Sequence, residues 1–68
     1  MEVRFSQNLK ALRAGANLTQ GALAQGLGTT QRKVSYWESG KVEPDIADLW
    51  RIADFFDVTV DELIGRRA

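Results

Sequence analysis

Apolar residues return along this chain at helical spacing, in short runs separated by residues that start and stop helices. Phe5, Leu9 and Leu12 follow the i, i+4, i+7 spacing of one helix face and predict a first helix over about residues 2–16. Asn17, which tolerates the left-handed conformation, or Gly15 closes it. Thr19 is an N-cap candidate ahead of Leu23, Ala24 and Leu27, and Gly28 ends that helix. Thr30 caps the next, with Val34 and Trp37 as its apolar positions, and the helix reaches Glu38 or Ser39 before Gly40 stops it. Pro44-Asp45 opens a fourth helix, in which Asp45 is the cap and Ile46, Leu49, Ile52, Ala53 and Phe56 line one side, Leu49, Ile52, Ala53 and Phe56 sufficing for its core face. Thr59-x-x-Glu62 forms a capping box before Leu63 and Ile64, and Gly65 ends a short fifth helix. Only Val58-Thr59-Val60 has strand-like residues, and three residues flanked by caps make a turn. The expected fold class is therefore all-α, a compact five-helix bundle forming a single domain over residues 1–68.

Composition narrows the function. At 68 residues and 44% apolar content, the chain is globular rather than disordered, with room for one core. It has no cysteine and no histidine. The commonest nucleophiles, general bases and zinc ligands are thus missing, so no enzyme, no metal site and no cofactor is expected. The carboxylates Asp54, Asp57, Asp61 and Glu62 sit around caps and a helix surface, with no partner chemistry beside them. No apolar run approaches the ~20 residues of a membrane span, and the N-terminus lacks a signal-peptide core, so a soluble cytoplasmic protein is expected.

Net charge is zero, but its distribution is uneven. Residues 1–41 carry Arg4, Lys10, Arg13, Arg32, Lys33 and Lys41 against Glu2 and Glu38, whereas residues 42–68 carry three arginines against seven acids. A basic half and an acidic half suggest one face for a polyanion and another turned away from it.

The basic half contains two helices joined by a very short turn, over about residues 19–39. Leu23 and Leu27 must face the core, Ala24 must be small where the second helix crosses, and Gly28 makes the tight turn. Val34 and Trp37 then define the buried side of the second helix. At about 100° per residue, Arg32, Ser35, Tyr36 and Ser39 fall on the opposite side, with Gln31 and Lys33 on the flanks. Arg32 can fork onto guanine and Gln31 onto adenine, while Tyr36 can donate its hydroxyl or cover a thymine methyl. Gln20 lies where free N–H groups and the positive dipole end of a helix attract an anion. Thr30, Lys33, Ser39 and Lys41 complete the candidates for phosphate contact.

From Phe5 to Gly65 the chain resembles the Xre/Cro/cI family of lambda-repressor-like DNA-binding domains. The words that carry the resemblance are LTQGALA at 18–24, LGTTQ at 27–31, VSYWESGK at 34–41, EPDIADLWRIADFF at 43–56 and VTVDELIG at 58–65. The resemblance implies that the second and third helices form a helix-turn-helix, followed by helices 4 and 5 at about 45–64. It implies that Gln31, Arg32, Ser35 and Tyr36 face bases, that Ser39 and Lys41 clamp phosphate, and that Arg13 and Glu38 form a structural ion pair. Departures are Gly21 and Ala22, where acids or other good helix formers are usual, and Asp57, where Gly or Asn is usual; Gly26 adds another weak helix position. Each helical glycine costs ~1 kcal/mol against alanine.

The expected function is a sequence-specific DNA-binding transcriptional regulator, in the first instance a repressor, reading a palindromic operator in the major groove. The alternative is an antitoxin or adaptor using the same fold for protein interaction, in which the polar face of the third helix is merely solvated. One reading helix covers about one half-site, so a homodimer is expected. Because only three residues follow Gly65, the dimer is expected to use the bundle itself, through Trp50 beside Ile64 at a two-fold contact around helices 4 and 5. Phe55 is a second large apolar residue of helix 4, with packing under helix 5 or helix 1 as its alternative. Control by a ligand would need a partner protein, since no effector domain is seen. Arg66-Arg67 and Arg4 are further basic positions without an assigned contact.

Overall fold

Four of the five helices start on a side-chain oxygen. The computed structural model describes residues 3–65, and its elements run α1 (Phe5–Gly15), α2 (Gln20–Leu27), α3 (Gln31–Ser39), α4 (Ile46–Phe56) and α5 (Val60–Ile64). Thr19, Thr30, Asp45 and Thr59 accept hydrogen bonds from the backbone N–H of Ala22, Lys33, Asp48 and Glu62 at 3.0, 3.2, 2.7 and 3.0 Å. Each bond satisfies one donor that the helix start would leave unpaired. α1 lacks such a cap and begins later than the apolar pattern indicates, at Phe5. Arg4 has non-helical dihedrals, and its N–H donates to the carbonyl of Ile64, 2.9 Å away, which ties the start of α1 to the end of α5. Arg66 and Arg67 lie outside the described residues.

The helix ends follow the same local logic. Gly28, Gly40 and Gly65 take left-handed conformations after α2, α3 and α5, and Asp57 does so after α4 with φ of 55°. α1 stops at Gly15, and Asn17 supplies the left-handed residue that turns the chain toward α2.

The core gathers Phe5 and Leu9 from α1, Leu23 and Ala24 from α2, Val34 and Trp37 from α3, Ile52 and Ala53 from α4, and Leu63 from α5. Leu12, Leu18, Leu27, Leu49, Phe56 and Val58 close over it. Trp37 lies at the centre with its ring edge-on to Phe5, and its carbonyl accepts the Ser6 hydroxyl at 2.6 Å. Asn8 fastens α1 to α5 by donating to the carbonyls of Glu62 and Leu63 at 3.2 and 3.1 Å.

Ile46 shares a side of α4 with Leu49, Ile52, Ala53 and Phe56, but at the first position of the helix it is 86% exposed. Phe55 stays 42% exposed, and the helix its ring touches is α2 rather than α5 or α1. A Cβ built on Gly26 would lie 2.7 Å from its ring, so the glycine of α2 is what admits Phe55 against that helix. The apparent helix weakness at residue 26 is the space an aromatic ring from α4 needs.

Candidate nucleic-acid interface

Two anchored sides of α3 leave a third side free. Val34, Trp37 and Glu38 are buried, Gln31 and Arg32 are exposed, and Ser35 and Tyr36 are half-buried. These four candidate readers therefore occupy the part of α3 not committed to the core. α2 crosses close behind, with Gln31 Oε1 only 3.8 Å from a Cβ built on Gly21.

The orientation of α3 is held by a polar cluster at its C-terminal end. Arg13 reaches from α1 and forks onto Glu38, Nε to Oε2 at 2.6 Å and Nη2 to Oε1 at 3.0 Å. Its remaining Nη1 donates to the carbonyl of Leu18 at 2.8 Å, and Gln20 donates its side-chain amide to Glu38 Oε1 at 3.1 Å. One carboxylate thus joins α1, α2 and α3. Burial pushes the Glu38 carboxyl up, but the hydrogen bonds from Arg13 and Gln20 and the charges of Arg13 and Lys10 outweigh it, so its pKa lies below the ordinary glutamate value. The hydrogen bond to Glu38 raises the pKa of Arg13 in turn.

The candidate phosphate contacts divide. Thr30 caps α3, and Gln20 opens α2 with its amide engaged by Glu38. Ser39 donates to the carbonyl of Tyr36 at 3.1 Å, and the Lys41 ammonium stands 5.0 Å from the centre of the Tyr36 ring. Lys41 therefore holds its charge beside a candidate base reader, past the left-handed Gly40. Lys33 turns the other way, toward α4, with Nζ 3.5 Å from Asp48 Oδ2 and 5.8 Å from the centre of the Trp37 ring. Asp48 is the residue that sequence reasoning passed over. It falls one residue short of the apolar position Leu49, and its buried side chain meets Lys33 of α3 and Arg51 of α4 at 3.5 Å each.

Trp50 of α4 is 73% exposed, and Ile46 and Val42 before it in the chain are exposed as well. Ile64 is half-buried and instead lines a groove with Val3, Phe5, Val42, Pro44 and Leu49.

Two short helices packed on each other, a left-handed glycine between them and an exposed polar face on the second define a helix-turn-helix domain of the lambda-repressor-like kind. Residues 9–63 match the helix-turn-helix family HTH_3, and the chain belongs to that family, whose domains serve transcriptional regulators. It is 45% identical over 63 residues to the HTH-type transcriptional activator BcrR of Enterococcus faecalis, covering 93% of this chain and 31% of that protein. The chain spans 31%, 52% and 59% of the first three curated relatives it matches. A transcriptional regulator from Listeria innocua superposes with a TM-score of 0.92 at 34% identity, over 100% of this chain and 64% of that one. The P22 c2 repressor, in complex with a synthetic operator, shares the fold with a TM-score of 0.86 at 22% identity, over 93% of this chain and 96% of that one. The same fold also matches 32% of the hydroxypropylphosphonic acid epoxidase of S. wedmorenis, at a TM-score of 0.80 and 33% identity over 88% of this chain.

Proposed function

We propose that this chain binds duplex DNA sequence-specifically through α3 in the major groove and regulates transcription, in the first instance as a repressor in the cytoplasm, without enzymatic activity of its own. The observation that carries this reading is the division of α3: Val34, Trp37 and Glu38 are buried in the bundle, while Gln31 and Arg32 are exposed and Ser35 and Tyr36 half-buried. Arg32 and Gln31 supply the bidentate donors that discriminate guanine and adenine, and Tyr36 a hydroxyl and an apolar ring. Thr30, Ser39, Lys41 and the start of α2 at Gln20 meet the flanking phosphates and set the register. A homodimer on a palindrome would place two copies of α3 in successive major grooves. The exposed Trp50 and the groove-lining Ile64 are its contact residues. Selection of bound duplexes from a random pool tests the reading. A palindromic consensus with half-sites one helical turn apart supports it, and no enrichment over the starting pool overturns it.

A further inference from the structure

Lys33 sits on the third residue of α3, at the edge of the surface proposed to meet DNA, yet its charge is answered from inside the protein. The Asp48 side chain is only 7% exposed, and its two oxygens lie 3.5 Å from Lys33 Nζ and 3.5 Å from Arg51 Nη1. Its backbone N–H is held by Asp45, which fixes the first turn of α4. The Asp48 backbone is thus fixed in the first turn of α4, and its short, buried side chain has little reach toward solvent. Lys33, by contrast, is a flexible side chain whose ammonium rests between that carboxylate and the Trp37 ring. At 3.5 Å the pair is looser than a charge-assisted hydrogen bond, so a second anion of comparable charge can compete for the lysine. Arg32, one residue earlier, has no carboxylate partner among the described residues. Adjacent cations on the reading helix therefore stand in opposite electrostatic states.

We infer that Asp48 is an internal competitor of the DNA backbone: it holds Lys33 against α4, keeps that lysine from neutralising a phosphate, and so sets how tightly and how salt-dependently the domain binds. The inference rests on the DNA-binding reading and assigns Asp48 a positioning role within it. A lysine that already has a counter-charge displaces no condensed counterion when DNA arrives, whereas a released one adds about 0.9 to the log–log salt slope.

The test measures affinity for a labelled mixed-sequence duplex, about three helical turns long, across a range of salt concentrations. Wild type, Lys33→Gln, Asp48→Asn and the double variant are compared, each with a melting curve. Lys33→Gln removes an exposed charge and is expected to leave the slope within about 0.3 of wild type. Asp48→Asn is expected to steepen it by about 0.9, and the double variant to return it to the wild-type value. A slope that flattens by about 0.9 in Lys33→Gln alone overturns the inference, because Lys33 then already contacts phosphate. So does an unchanged slope in a folded Asp48→Asn, or a steepening that persists in the double variant, which would reflect added charge anywhere on the surface. Should Asp48→Asn fail to fold, Lys33→Gln decides alone. If wild type shows no salt-dependent binding, the DNA reading itself has failed, an outcome distinct from any change among the variants.

Discussion

Replacing Glu38 by glutamine removes one charge at the point where three helices meet. The carboxylate side chain is 3% exposed and accepts two bonds from Arg13 and one from Gln20, while Arg13 is 17% exposed. Stranding one member of a fully buried pair costs ~3–5 kcal/mol, and an exposed pair is worth only ~0–1 kcal/mol. Glu38 lies near the buried limit, but Arg13 reaches some solvent and keeps the Leu18 carbonyl, and glutamine retains one acceptor. The expected loss is therefore ~2–3 kcal/mol, a large share of the few kcal/mol available to so small a domain. In a thermal melt followed by far-UV circular dichroism, Tm should fall by ~10–20 °C at neutral pH. The pH dependence gives a second reading. Because the folded pKa of Glu38 is depressed, its contribution is fully present above the ordinary value of 4.5 and is lost as pH falls through the lower folded value. The gap between wild type and Glu38→Gln should accordingly narrow in acid. A Tm difference below ~3 °C at neutral pH, or a gap that does not narrow, would refute the assignment of Glu38 as the charged link between α1, α2 and α3.

Arg32→Ala should lower affinity for a selected operator by ~1–3 kcal/mol and relax one position of the site. Lys41→Gln should weaken all duplexes alike and flatten the salt slope; an unchanged ranking of operator variants in Arg32→Ala removes it from base reading. Gly15→Ala meets nothing within 4 Å and should stabilise by ~0.5–1 kcal/mol through helix propensity. Gly26→Ala makes the same exchange 2.7 Å from the Phe55 ring, so it should gain less or destabilise, and equal Tm gains in both variants would show that Phe55 yields freely. Trp50→Ala should weaken self-association in sedimentation with and without operator, and an unshifted dimer constant takes Trp50 out of the interface.

The starts of α2 through α5 were legible in the chain because they are decided within a few residues. A threonine or aspartate accepts the N–H three positions later wherever that turn is placed, and Gly28, Gly40 and Gly65 can turn left-handed irrespective of their neighbours. The free face of α3 was legible too, since Val34 and Trp37 point one way and fixed angular steps place Gln31, Arg32 and Tyr36 elsewhere. Periodicity supplies a direction, however, and not the surface waiting there. That is why Gly26 reads as a weak helix position until Phe55 lies against it. Lys33 and Asp48 are fifteen positions apart with no pattern linking them, and Asn8 finds its carbonyls more than fifty residues away. Such pairings exist only once helix packing has chosen which side chains share a space from which water is largely excluded. Charges and hydrogen bonds there depend on distances that no local rule contains.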